Sequence, residues 1–298
     1  MKKPIGYGII ASLFFAFTFI LNSSMNISGG SWLWSASLRY IFMLPLLYIV
    51  VLKQKGVKEV LQKIKQAPLA WFVWSSIGFG LFYIPLTWSS KFGPSWLVAG
   101  CWQITIVMGI LLTPLFKEKL PVKSLLYSCV ILIGVAMIQY EQAISVNVIS
   151  SIVCIGLILI AATAYPLGNR KMMRVCNGEL TTTQRVFGMT LCSMPVWITL
   201  SLVALMTSGM PSGNQVMQSS IVALFSGVIA TILFFKATDL TKSNAHNLAI
   251  VEATQAGEVL FTVLGEIFIL GGAIPSMIGI IGLLVIIIGM LLNSLIKA

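Results

Sequence analysis

The chain reads as an all-α integral membrane protein, with ten transmembrane helices arranged as two inverted five-helix repeats. Three observations lead there. Hydrophobic residues make up 58% of the chain and charged residues 9%, with a mean hydropathy of +0.97, whereas a soluble domain carries about 25% charged residues. The apolar residues gather into runs of about 20, the length at which a helix crosses a bilayer. Residues of the same type also recur at a near-constant offset, close to half of the 298-residue length.

Ten runs have the required length and polarity: Pro4–Ser24, Trp32–Leu52, Pro68–Ser90, Ser95–Phe116, Lys123–Gln139, Val148–Gly168, Gln184–Met206, Val216–Phe235, Ala245–Glu266 and Pro275–Ile296. The first follows MKK as a signal peptide would. No small-x-small cleavage site comes after it, so it reads as a retained helix. The longest connections, Lys53–Ala67 and Asn169–Thr183, are polar and basic, with no sign of a soluble domain.

A net charge of +11 could point to nucleic acid, but the basic residues sit in short patches between apolar runs. That placement is a topology signal. With the N-terminus in the cytoplasm, all of the 19 Lys and Arg except Lys91 and Arg39 fall on or near the inner side. The expected setting is the cytoplasmic membrane with both termini inside and no nucleic-acid partner. Four of the five cysteines lie in apolar runs, there is no CxxC, and His246 is the lone histidine. Neither a disulfide framework nor a metal site is expected, and no cofactor. HExxH, GxSxG and Walker loops are absent, so an enzyme is not expected and transport would not use ATP.

The offset carries the repeat. Arg39 opens RYIFM and Arg185 opens RVFGM; Asn22 matches Asn169, Ser95 matches Ser243, Gly109 matches Gly257, Glu118 matches Glu266 and Gly134 matches Gly282. A unit of five spans is odd, so the second copy (148–298) lies upside down relative to the first (1–147). Inverted repeats of this kind are a transporter architecture, with the substrate site near the midplane between them.

Two stretches carry a family resemblance: WSSKFGPSWLVAGCWQITIVMGILLTPLFKEK followed by LIGVAM, and ATDLTKSNAHNLAIVEATQAGEVLFTVLGE followed by IIGMLL. With the LRY start of the second span, they make the whole chain resemble the ten-span drug/metabolite transporter superfamily, closest to its multidrug-resistance efflux branch. The resemblance implies a five-plus-five bundle acting as a secondary transporter, often an exporter. There are departures. The four-span multidrug relatives carry a glutamate in their first span, where this chain has LFFAFTF, and the C-terminal hairpin often has Glu-Pro where this chain has Glu252-Ala253.

The ninth span therefore holds the candidates for coupling. Glu252 and Glu258, with Gln255 between them, lie in an apolar run, where an ionised carboxylate is costly and faces a protein interior or a wet cavity. Six residues apart, they differ by about 120° around a helix but can border one cavity. Either could bind a proton or a cationic group, or be neutralised in a structural pair. Arg39, on the second span, lies at a depth matching Glu258, about 12 Å from the outer end. Such a pair would be a structural tether or one that opens during transport.

Trp102, Gln103 and Thr105 lie on the fourth span, the repeat counterpart of the ninth. An aromatic face near carboxylates suits a lipophilic cation, although packing against a neighbouring helix or lipid is the commoner use of a residue like Trp102. Tyr83 and Tyr165 are weaker cases of the same kind. Asn22 and Asn169 could line the path, but interhelical hydrogen bonding is their commoner use. The tryptophans near span ends fit an aromatic belt, the glycines of the last span fit close helix packing, and His246 fits a solvated boundary position. The expected partners are lipid, a small-molecule substrate and protons, with monomer and homodimer both open. Three functions stay in view: proton-coupled export of drug-like compounds, a metabolite carrier using Arg39 for a zwitterion, and a membrane scaffold or sensor.

Overall fold

A computed structural model describes residues 1–92, 95–143, 148–271 and 276–295. The helices are α1 (Lys2–Ile27), α2 (Trp32–Lys53), α3 (Val57–Gln66), α4 (Pro68–Ser89), α5 (Ser95–Leu111), α6 (Val122–Ala143), α7 (Val148–Cys176), α8 (Thr182–Ser208), α9 (Gly213–Asp239), α10 (Ala245–Ile269) and α11 (Met277–Leu295). Among the described residues there is no strand. Seven helices are long and apolar enough to cross a membrane: α1, α2, α4, α7, α8, α9 and α10. Shorter apolar stretches, Ser95–Leu111, Val122–Ile138 and Met277–Leu292, lie in α5, α6 and α11. The expected repeat boundary at residue 147 and the expected span ends Pro275 and Ile296 lie outside the described residues.

Two elements depart from the sequence expectation. The Lys53–Ala67 connection contains α3, whose Val57, Val60, Leu61 and Ile64 recur at helical spacing. Val60 is fully buried, and Gln184 of α8 donates to Glu59 at 2.6 Å, so α3 is tied to the bundle. In addition, α7 does not stop at Gly168. It runs two more turns to Cys176 and ends where Asn177 and Gly178 take positive φ angles of 45° and 76°. Basic residues do not end a helix; the Asn-Gly step does.

The strongest packing joins helices from before residue 144 to helices from after residue 147. α2 lies on α8, α6 on α11, α1 on α9 and α10, and α7 on α4 and α5. Glycines set the closest crossings. A Cβ on Gly168 would stand 2.2 Å from the Gly78 Cα, and one on Gly134 would stand 2.8 Å from the Gly282 carbonyl oxygen. Gly282 and Gly289 of α11 therefore pack within the chain, on α6. Both α4 and α9 contain a π-helical stretch, Ser76–Leu81 and Ala223–Ala230. Such insertions are frequent at functional sites.

Trp71, Trp197, Tyr40, Tyr83, Phe79, Phe234 and Phe235 are fully buried, while Ile10, Leu13, Ile49, Leu69 and Phe268 face outward. An apolar exterior on this scale requires lipid around it. The aromatic-belt reading does not fit every tryptophan. Trp32 and Trp88 stack on each other with centroids 5.3 Å apart. Trp71 instead fills the interior, because Gly188 leaves its ring room against α8.

Gly168→Ala is expected to lower stability by about 1–3 kcal/mol, the usual cost of overpacking. Gly156→Ala, with nothing within 4 Å of the new Cβ, should be neutral or stabilising. Thermal unfolding of both variants in detergent checks this, and equal midpoints would contradict the close α4–α7 crossing.

Candidate functional site

The site is organised by a break in α10. A regular helix runs over Ala245–Ala253, a 3₁₀ turn over Thr254–Ala256, and a second helix begins at Gly257. Glu252 stands before the turn and Glu258 after it. The facing helix α5 is interrupted at Gln103, whose amide donates to its own helix at Ala99 while its Oε1 has no partner.

Glu252 is 4% exposed and bound by Arg170 of α7. Nη2 of Arg170 lies 2.8 Å from both carboxylate oxygens, and Nη1 donates to Thr113 at 3.3 Å. A Cβ on Gly109 would stand 2.3 Å from Glu252 Oε2, so α5 admits the carboxylate only because residue 109 has no side chain. Arg170 escaped the sequence reading because it was assigned to a basic loop. The signal was available: no helix breaker occurs before Asn177.

Glu258 is 1% exposed and, among the described residues, forms no ion pair. Trp102 hydrogen-bonds its carboxylate, and its Oε1 has no partner. It faces a small central cavity, lined also by Phe15, Thr18, Phe19, Arg39, Phe82, Leu86, Trp102, Tyr165 and Gln255, with about 10 Å³ of room. That is space for roughly one water. The polar lining is under-satisfied: among the described residues, Arg39 Nε, Tyr165 Oη, Gln255 Oε1 and Glu258 Oε1 have no hydrogen-bond partner. One wall is aromatic, with Phe82 and Tyr165 centroids 4.6 Å apart and Phe82 and Trp102 5.1 Å apart.

The expected ion pair between Arg39 and Glu258 does not form. Arg39 donates to Thr18 at 3.3 Å, and its guanidinium carbon lies 4.1 Å from the Tyr83 ring centroid. The π face of Tyr83 and the Thr18 hydroxyl hold it instead, and Thr18 is itself 2.5 Å from Ser226 in the π-helical stretch of α9. Tyr83 therefore acts behind Arg39 and does not line the cavity. Asn22 donates to Tyr83 and Asn169 to Thr238, both at 3.3 Å, so each makes an interhelical hydrogen bond. Gln103 does not line the cavity either. His246 is not simply solvated, since its Nδ1 is 2.8 Å from the Ser124 hydroxyl of α6.

A second, larger cavity of about 200 Å³ opens at the basic end of the bundle. Along α10, Leu248 lines this vestibule, while Gln255 and Glu258 line the central cavity. The Arg170–Glu252 bridge stands between the two.

Glu252→Ala should cost about 3–5 kcal/mol by stranding a buried guanidinium. Glu258→Gln, which breaks no ion pair, should change stability by about 1 kcal/mol or less. Thermal unfolding in one detergent ranks the two, and the reverse order would refute a structural role for the bridge.

Over residues 2–298 the chain matches a family described as "EmrE: Putative multidrug resistance efflux transporter". It is 48% identical over 305 residues to a protein of Bacillus subtilis (strain 168) described as "Uncharacterized protein YjlA", covering 98% of this chain and 94% of that one. It is 44% identical over 270 residues to an "Uncharacterized 42.1 kDa protein in intracellular alkaline protease 3'region" of Shouchella clausii, covering 87% of this chain and 70% of that one. A solved structure described as "Crystal structure of protein" matches with a TM-score of 0.71 at 16% identity, covering 99% of this chain and 97% of the other, which shows likeness of fold alone. The full-length family match and the apolar helical bundle agree, and the chain belongs to the EmrE family of the drug/metabolite transporter superfamily, as a multi-pass membrane transporter.

Proposed function

We propose that the protein is a proton-coupled secondary transporter that exports small organic compounds across the cytoplasmic membrane, with both termini inside. The observation that carries this reading is Glu258, a buried carboxylate without an ion-pair partner, facing a cavity with an aromatic wall. Such a carboxylate binds either a proton or a cationic group, and a group that exchanges one for the other couples their movements. Glu252 is the structural tie, because Arg170 already neutralises it.

The bundle is ten spans built as inverted repeats, 1–147 and 148–298. Support comes from the packing: α1 on α9 is answered by α7 on α4, and α1 on α10 by α7 on α5, while α2 and α6 each meet their own counterparts. The two π-helical stretches also begin at matching positions, Ser76 and Ala223.

A second reading, a carrier of zwitterionic metabolites, is favoured by one contact. Arg39 lines the same cavity as Glu258 with its Nε unpartnered, so both charges of an amphoteric solute have a counterpart.

The test is transport of a panel of lipophilic amine dyes and amino acids in proteoliposomes under an imposed pH gradient. Because protons and a cationic substrate compete for Glu258, substrate binding should tighten as pH rises, and Glu258→Gln should flatten that profile and abolish gradient-driven flux. Glu252→Gln should retain coupling. Undiminished gradient-driven flux in Glu258→Gln, alone and combined with Glu252→Gln, would sink the exchange mechanism. Uptake of amino acids only, lost in Arg39→Gln, selects the second reading.

A further inference from the structure

The vestibule at the basic end has a chemistry that differs from that of the central cavity. Its lining includes Arg170, Arg174 and Lys242, with Glu118 as the acidic member. Among the described residues, neither Arg174 nor Lys242 belongs to an ion pair. Arg170 and Arg174 are four residues apart, so both project from one face of α7. Lys242 comes from the turn before α10 and approaches from the other side, with its Nζ 3.5 Å from where a Cβ on Gly178 would lie.

The rings nearby orient these cations without neutralising them. The Phe116 centroid lies 4.6 Å from the Arg174 guanidinium carbon and 5.9 Å from that of Arg170. Arg174 also donates to the Phe116 carbonyl. Basic residues scattered over a membrane surface are a topology signal and no more. Here they converge on a concave space of about 200 Å³, and one of them, Arg170, is 6% exposed at its floor. Planar guanidinium donors in that arrangement match a carboxylate or phosphate.

We propose that the vestibule is a binding site for the anionic group, carboxylate or phosphate, of a small molecule or lipid headgroup, held by Arg170, Arg174 and Lys242. The anion competes with Glu252 for Arg170. Its arrival therefore loosens the Arg170–Glu252 bridge. The site is defined by binding and does not depend on the direction or coupling of transport.

The experiment is isothermal titration calorimetry of the full chain in a neutral detergent, with inorganic phosphate and then succinate as probes, at ionic strength held constant with chloride. Saturable binding is expected. Lys242→Gln, at an exposed turn, and Arg174→Gln should each weaken it about tenfold, the usual loss of one charge-assisted hydrogen bond. Glu252→Gln, which releases Arg170, should tighten it. An absence of saturable binding, or equal affinity in the parent and all three variants, would overturn the proposal. Repeating the titration in nanodiscs of phosphatidylcholine, and of equal parts phosphatidylcholine and phosphatidylglycerol, separates the two sources. Phosphate binding lost only with phosphatidylglycerol assigns the site to a lipid headgroup, and equal binding in both assigns it to a soluble solute. Either result upholds the anion site.

Discussion

A carboxylate carried into the middle of an apolar bundle must be answered by a counter-charge, by hydrogen bonds or by a proton. α10 brings in two, and the structure treats them differently. Glu252 meets a guanidinium in near-bidentate geometry, whereas Glu258 receives one indole hydrogen bond and keeps an oxygen free. Several otherwise unrelated features serve that difference. The extra turns of α7 deliver Arg170, the 3₁₀ turn of α10 separates the two acids, and an aromatic wall borders the cavity that the second one faces.

The residues that match at the offset of about half the chain do not match in charge. Arg185 is held by Asp239, which also accepts from Thr182 at 2.7 Å. Its counterpart Arg39 has no such acid, because the position matching Asp239 is Lys91. Arg39 consequently rests on an aromatic face and a hydroxyl, interactions weaker than a buried ion pair. Relaxing the sequence match at these positions leaves one arginine and one glutamate exposed to the same small cavity.

The fold was legible because it depends on quantities that add along a chain: apolar length, charge placement and a repeated offset. The site was legible only in part. Glu258, Trp102, Tyr165, Gln255 and Arg39 do converge on one cavity. Their pairing could not be read, since depth in a membrane says nothing about which helices are neighbours. Arg170 was hidden by treating the first basic residue after an apolar run as the end of a helix. The amphipathic helix α3 was missed for a similar reason, its apolar stripe being short and rich in lysine.

The contact between Gly109 and Glu252 acts as a steric gauge between two distant parts of the chain. There is no space for a methyl group on α5 while a glutamate of full length reaches Arg170. A side chain at position 109 therefore meets the tip of the acid and not the backbone of α10, so what it would disturb is the seating of Glu252 on Arg170 and not the crossing of the two helices.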